Sequence, residues 1–324
     1  MSTLQQPLLK LEQLKKYYPI KGGILRKVTG NVKAVENVTL EIFEGESLGV
    51  VGESGCGKST LGKTVIGLEE ITEGKVIFKQ QDLNAISRKD RKALKRDIQM
   101  IFQDPYASLD PRQRIGHALE EVFEIHTNMK SKERKEHVIQ LLKEVGLKEE
   151  HYERFPHEFS GGQRQRIGIA RAIALNPSLI ICDEAVSALD VSVQAQVIKL
   201  LKDIQEKHKL TYMFISHDLG VVRHFCDRVL VMYLGNQAEL APVDKLYDNP
   251  LHPYTKALLS AIPRPVPGRK RDRIRLQGDL PNPANPPNGC PFNTRCPVAT
   301  AKCKEEKPEW RMVDEGHYVA CHEV

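Results

Sequence analysis

Apolar positions recur along this chain with two different periods. Leu9 and Leu11 alternate with polar neighbours, and Val38, Leu40 and Ile42 repeat that period of two. Such alternation predicts antiparallel strands with one buried face. Ser47-Leu48-Gly49-Val50-Val51 is a short run of the kind found in strands covered on both sides. Leu61, Val65 and Leu68 then fall at i, i+4 and i+7, which predicts a helix packed on a sheet. Val76-Ile77-Phe78 and Ile98-Gln99-Met100-Ile101-Phe102 predict two further strands, the second stopped by Gln103-Asp104-Pro105.

From about residue 104 to 156 the pattern is helical and amphipathic. Val138, Leu141, Leu142 and Val145 form one stripe, with Gly146 as its stop. Ser160-Gly161-Gly162-Gln163 opens another helix that runs through Ala174 and closes at Asn176-Pro177. Leu179-Ile180-Ile181-Cys182 predicts a parallel strand ending in Asp183-Glu184. Val193, Val197, Leu200, Leu201 and Ile204 mark the next helix, and Tyr212-Met213-Phe214-Ile215 a strand ending at Ser216-His217-Asp218. Strands alternating with helices predict an α/β fold with a mostly parallel sheet. After Pro250 proline becomes frequent and apolar residues sparse, so residues 263–291 read as a linker or extended wrap.

Composition narrows the class. With 324 residues, 40% hydrophobic and 28% charged, the chain suits one globular domain of ordinary size plus a smaller piece. A net charge of +6 does not by itself point to nucleic acid. One basic patch stands out, Arg264, Arg269, Lys270, Arg271, Arg273 and Arg275, read as a solvated linker, with contact to a partner loop or anionic lipid head groups as the alternative. The longest apolar runs, such as residues 229–234, fall far short of the ~20 residues of a membrane span. Met1-Ser2-Thr3-Leu4-Gln5 lacks the pattern of a signal peptide. A cytoplasmic protein is expected, with any membrane role exercised through a partner.

Three motifs carry chemistry. Gly52-Glu53-Ser54-Gly55-Cys56-Gly57-Lys58-Ser59-Thr60 matches the phosphate-loop pattern G-x-x-x-x-G-K-[ST], between a predicted strand and a predicted helix. Converging backbone N–H groups and a helix N-terminus there favour a polyphosphate. Lys58 is expected to reach the β- and γ-phosphates, and Ser59 to bind Mg²⁺. Asp183, at a strand end, suits a water-mediated Mg²⁺ contact, and Glu184 is placed to orient and deprotonate an attacking water. Ser160-Gly161-Gly162-Gln163 supplies a second anion-binding helix end. One nucleotide needs only one phosphate loop, so the second end suggests a nucleotide bound to another copy.

In that order these motifs resemble the nucleotide-binding subunits of ABC transporters, over residues 9–240. The resemblance implies a P-loop ATPase with a mostly parallel core, an antiparallel β subdomain and a helical subdomain at about 104–175. It makes Gln103 the Q-loop glutamine and a further Mg²⁺ ligand. Ser160-Gly161-Gly162-Gln163 becomes the signature, Ser187-Ala188-Leu189-Asp190 the D-loop and His217 the switch histidine. It sets Tyr18 against adenine, with Tyr17 as runner-up. Two departures are Phe159, where Leu is usual, and Ala185, where Pro is usual; the second is expected to loosen the turn while sparing the Glu184 carboxylate.

Pro250-Leu251-His252-Pro253-Tyr254-Thr255, the proline-rich stretch and four late cysteines further resemble the oligopeptide/dipeptide importer ATPases. Residues 18–32 and Pro105-Tyr106-Ala107-Ser108-Leu109-Asp110-Pro111 resemble the second ATPase of such importers. What this implies is a bacterial or archaeal peptide importer driven by ATP from the cytoplasmic face. Its partners would be two transmembrane permease subunits, a second ATPase (homologous or identical) and, indirectly, a peptide-binding protein; nucleic acid is not expected. The expected domains are 1–250 for the cassette and 251–324 for the extension.

Cys290, Cys296, Cys303 and Cys321 follow the spacing C-x5-C-x6-C-x17-C, without the C-x2-C knuckles of most structural zinc sites. Four thiolates suit zinc or an iron–sulfur cluster; the resemblance implies [4Fe-4S], with zinc the alternative. Its role would be to staple a segment too polar to form its own core. Because every ATP motif precedes residue 220, changing any one of the four cysteines to Ser is expected to disorder the tail and leave ATP binding largely unharmed. Cys56 reads as a small residue tolerated in the loop, and His252 as a structural histidine. Other readings are a soluble ABC-type ATPase acting on nucleic acid or ribosomes, an importer of nickel chelates, and an iron–sulfur redox protein. The single cassette and lack of sustained heptads disfavour the first of these. A redox role would leave Glu184, Ser160 and His217 unexplained, and no Asn-Lys-x-Asp motif points to GTP.

Overall fold

The period-two segments become strands longer than their apolar cores. β1 (Leu9–Gly22) and β2 (Lys27–Ile42) pair antiparallel, Leu9 opposite Ile42 and Leu11 opposite Leu40. Leu9, Leu11, Leu14, Val38 and Ile42 are fully buried on one face. β3 (Ser47–Val51) is buried at every residue, as its run predicts. α1 (Lys58–Val65) follows the phosphate loop. It stops short of Leu68, which lies beyond Gly67 (φ 73) and is exposed, so the predicted stripe is one turn too long. β4 (Glu73–Phe78) pairs with β1, and β5 (Gln81–Asp82) with β4, giving the sheet order β2-β1-β4-β5.

The computed structural model describes residues 6–22, 27–87, 90, 94, 96–104, 109–262 and 274–324. Met1-Ser2-Thr3-Leu4-Gln5, Pro105-Tyr106-Ala107-Ser108 and the basic residues Arg264, Arg269, Lys270, Arg271 and Arg273 lie outside the described residues. The chain divides into two compact units. One comprises Met1–Phe43, Ser47–Ala85 and Ser216–Val324, the other Glu44–Glu46 and Ile86–Ile215.

The second unit holds β6 (Ile98–Ile101), α2 (Ile115–His126), α3 (Ser131–Glu144), α4 (Gly161–Ile173), β7 (Leu179–Asp183), α5 (Val191–His208) and β8 (Thr211–Ile215). β6, β7 and β8 are parallel neighbours, and every residue of β7 and β8 is buried. Val138 and Leu142 bury the apolar stripe of α3, which ends before Gly146 (φ 75). α5 buries Val197, Leu200, Leu201 and Ile204, four of its five predicted stripe positions.

The first unit resumes with α6 (Leu219–Phe225), β9 (Arg228–Tyr233) and β10 (Asn236–Pro242). β9 runs parallel to β3 and antiparallel to β10. α7 (Val243–Asp248) and α8 (Pro253–Ser260) lead towards the tail. The tail carries α9 (Ala301–Glu305), β11 (Arg311–Asp314) and β12 (His317–Val319). β12 pairs with β10 and β11 with β12, so the C-terminus adds two strands to a sheet that includes β9 and β3.

A buried carboxylate fixes this junction. Glu239 of β10 is fully buried and accepts from the Leu251 amide (2.8 Å), the His252 amide (2.9 Å) and His317 Nε2 (2.7 Å). It therefore ties β10 to the turn before α8 and to β12. Glu239→Ala should strand two amides and an imidazole, at a cost of about 3–5 kcal/mol, the range for breaking a buried pair. Urea denaturation of the full chain measures it. A loss below about 1 kcal/mol would show that the junction does not depend on this carboxylate.

Candidate functional site

The phosphate loop hangs between β3 and α1, both in the first unit. Gly57 caps α1 with φ 105, a left-handed conformation. A Cβ there would lie 2.0 Å from the Ala34 carbonyl oxygen, so no side chain fits. Lys58 is buried, and its Nζ donates to the carbonyls of Gly52 (2.8 Å) and Glu53 (3.0 Å). The ammonium is thus folded back under the loop, where Gly55, Cys56, Gly57, Ser59 and Thr60 line the turn and first helical residues. Ser54 and Gly55 are exposed. Cys56 is buried, and burial pushes its thiol pKa up. A protonated, enclosed thiol agrees with a packing role for it.

The two tyrosines separate. The Tyr17 hydroxyl donates to the Glu36 carboxylate at 2.9 Å. Tyr18 is half-buried with its hydroxyl in hydrogen-bonding reach of Thr60, at the end of the phosphate-loop motif. Burial raises the Tyr18 pKa, and the Thr60 hydrogen bond opposes that rise. Lys16 Nζ stands 4.7 Å from the Tyr18 ring centre. His217 is also in this unit. Ser216 before it donates its amide to the Val50 carbonyl (3.1 Å), which sets the histidine beside the strand feeding the loop. Asp218 after it caps α6, its Oδ1 accepting from the Gly220 amide at 2.7 Å and the Val221 amide at 3.2 Å. His217 is exposed between these two anchors.

The second unit gathers the other predicted residues. Asp183 ends β7 and is buried. Glu184 takes a left-handed φ of 48, and its amide donates to the Ile215 carbonyl at 3.0 Å. A residue before proline resists helical geometry. Ala185 imposes no such restriction, and it is buried, so the turn is packed. Gln103 Nε2 donates to Glu184 Oε2 at 2.9 Å, joining two residues singled out for catalysis. Ser187 Oγ donates to the Glu184 carbonyl at 2.9 Å.

Ser160 caps α4 through a reciprocal pair. Its Oγ accepts from the Gln163 amide (3.3 Å), and its own amide donates to Gln163 Oε1 (3.0 Å). The first-turn amides of Gly161 and Gly162 remain at the open helix end. Gly162 meets α5 closely, since a Cβ would lie 2.4 Å from Val193 Cγ1. Phe159 is buried edge-on to His151, 5.2 Å between ring centres. The aromatic departure at this position thus fills a core site.

Cys290, Cys303 and Cys321 are buried free thiols, and Cys296 is half-buried. Burial pushes Cys290 up to about 11, and the charges of Cys303, Cys321 and Cys296 add to the shift. Cys296 and Cys321 are raised by burial, then by thiol neighbours within the same set. A tetrahedral zinc would need four sulfurs about 2.3 Å from one point. Among the described residues no three His, Cys, Asp or Glu side chains converge to hold an ion. The four thiols therefore do not converge on one point, although each of Cys290, Cys296 and Cys321 feels the charge of others in the set. His252 is a structural residue: its Nδ1 accepts from the Tyr254 amide (3.0 Å), and burial lowers its pKa to about 4.

One connection has no precedent in the local sequence. Arg295, one residue before Cys296, pairs with Glu53 of the phosphate loop, Nη1 to Oε2 at 2.7 Å and Nη2 to Oε1 at 3.1 Å. The Glu53 amide donates to the Tyr254 hydroxyl at 2.8 Å. The tail and the loop are thus joined directly. A separation of 242 residues hides this pair from any local pattern.

Comparison with known proteins gives the same assignment. The family described as ABC transporter matches residues 35–187, and the oligopeptide/dipeptide transporter C-terminal region matches residues 238–303. The oligopeptide transport ATP-binding protein AppF of Bacillus subtilis is 56% identical over 321 residues, covering 98% of each chain. The di/tripeptide transport ATP-binding protein DppF of Pseudomonas aeruginosa is 51% identical, again over 98% of each. Among solved structures, a dimeric ATP-binding cassette in a post-hydrolysis state with ADP and Pi is 31% identical with TM-score 0.64, over 72% of this chain and 98% of that one. The cbiO1 subunit from Clostridium perfringens, part of an ABC transporter complex, is 26% identical with TM-score 0.65, over 75% of this chain and 91% of its own. No helix among the described residues is long and apolar enough to cross a membrane. The chain belongs to the ATP-hydrolysing, ATP-binding subunits of the oligopeptide/dipeptide family of ABC transporters.

Proposed function

We propose that this subunit powers import of di- and oligopeptides through two membrane permease subunits, working at their cytoplasmic face as a dimer with a second ATPase. A peptide-binding protein would deliver the cargo. The observation that carries the reading is Gln103 bonded to Glu184 at the end of the Asp183 strand, in a chain that also holds a phosphate loop and a capped Ser160-Gly161-Gly162-Gln163 helix end. The printed functions of the relatives, oligopeptide and di/tripeptide transport, support the cargo class.

In this reading residues 52 and 54–60 cradle the ATP phosphates, and Lys58 leaves the Gly52 and Glu53 carbonyls for the β- and γ-phosphates. Tyr18 stacks on adenine; the engagement of Tyr17 with Glu36 supports that choice. Ser59, Gln103 and Asp183 offer oxygen donors that suit a hard cation. Mg²⁺ held there would neutralise charge across the β- and γ-oxygens. Glu184 orients and deprotonates the attacking water, while Gln103 holds its carboxylate and His217 contacts the γ-phosphate. Ser160, Gly161, Gly162 and Gln163 serve the nucleotide of the opposing ATPase. Residues 1–250 form the cassette, with a helical part at about 104–175, and 251–324 the extension.

Cys290, Cys296, Cys303 and Cys321 would hold a [4Fe-4S] cluster as a structural cross-link. The lack of C-x2-C knuckles in their spacing supports this over zinc. A cubane sets each thiolate on its own iron, so its sulfurs need not converge on one point.

Glu184→Gln tests the motor. In the assembled transporter, ATP binding should persist while phosphate release and peptide uptake fall together by about 10²-fold or more, the scale of losing a positioned base. Near-normal turnover would remove Glu184 from that role, and normal uptake without turnover would sink the motor reading. For the tail, anaerobically purified protein should be brown and carry about four irons per chain, as a four-thiolate cluster requires. Elemental analysis showing one zinc and no iron would make the cluster assignment wrong.

A further inference from the structure

The second residue of the phosphate loop is an acid, which is an odd neighbour for a polyphosphate. Glu53 lies between Gly52 and Ser54, its carboxylate some 29% exposed and its carbonyl holding Lys58 Nζ. An uncompensated negative charge there would repel the phosphates that the loop amides attract. The structure supplies the compensation from the far end of the chain. The Arg295 side chain is only 9% exposed and grips both Glu53 oxygens. The bidentate geometry fixes orientation as well as charge.

Arg295 is itself held in place. Its guanidinium lies 5.9 Å from the Tyr233 ring centre, with Nη1 3.5 Å from the Tyr233 hydroxyl. Tyr233, at the end of β9, meets Tyr254 of α8 at 4.8 Å and Phe292 of the cysteine segment at 5.1 Å, both edge-on. Tyr254 and Phe292 are 5.4 Å apart. All three rings are buried. The hydroxyl of Tyr254 then accepts the Glu53 amide. The tail thus reaches the loop by two routes, an ion pair to the side chain and an aromatic wedge to the backbone.

We propose that Arg295 is a positioning residue for nucleotide binding, masking the Glu53 charge at the phosphate loop and bracing the loop against the cysteine segment. This rests on the reading that the loop binds ATP. The tail is therefore part of the ATP site's support, and disordering it withdraws the brace along with Arg295.

The test is equilibrium binding of Mg-ATP to the full-length chain, with circular dichroism to check folding. Arg295→Gln should raise the Kd about tenfold, the scale of one poorly screened like-charge interaction. In a Glu53→Gln background the same change should alter Kd by less than about threefold, because no charge is left to mask. Arg295→Lys keeps the charge and should stay within about threefold of wild type; it also decides the matter if Arg295→Gln does not fold. An Arg295→Gln Kd within twofold of wild type overturns the proposal. So does an equal loss with and without the Glu53 charge, which would mean that Arg295 only holds the tail together. Failure of the wild-type chain to bind Mg-ATP would overturn the nucleotide reading and this proposal together, whereas the variant outcomes bear on Arg295 alone.

Discussion

Backbone amides can face a polyphosphate only if the chain carrying them turns tightly and is held from outside. Here the hold comes from neighbouring main chain. The Ala34 carbonyl stands where a Cβ of residue 57 would be, so the loop is pressed against β2 and only glycine passes. β3 delivers the loop from a fully buried strand, and the Ser216 amide bonds back to Val50 on that strand. The antiparallel sheet thus holds the loop at Gly57, and the histidine segment holds the strand that feeds it. Shift any of them and the converging amides are lost.

Much of this was legible from spacing alone. Continuous apolar runs identified β3, β7 and β8 because parallel strands are covered on both faces and tolerate no polar alternation. The α3 stripe and its glycine stop follow from helix geometry. The phosphate loop and the capped Ser160 helix end are equally local, each decided within ten residues. Leu68 misled because apolar periodicity ran past a helix that Gly67 had already ended.

What could not be read is what depends on distant partners. An acid inside the buried strand β10 makes no sense locally; Glu239 is explained by His317, 78 residues away, and by two amides of a turn. The strands β11 and β12 are short and mix polar with apolar residues, so their segment looks like mere tail. Tyr17 and Tyr18 look alike in the sequence, and only the fold shows the Tyr17 hydroxyl on Glu36. Glu53 and Arg295 each resemble an ordinary surface charge until they are seen together.

The two tail strands also change what the sheet presents at its border. β10 is buried through its middle five residues, and without β12 its outer row of amides and carbonyls would lie open. Such a border is a template for pairing with another chain. β12 occupies it, and β11 ends the series with four residues that include Arg311 and Asp314. A short charged strand offers little for a stray chain to extend. The C-terminal extension therefore doubles as a guard against association through the sheet, a service independent of nucleotide, cargo or cysteine chemistry.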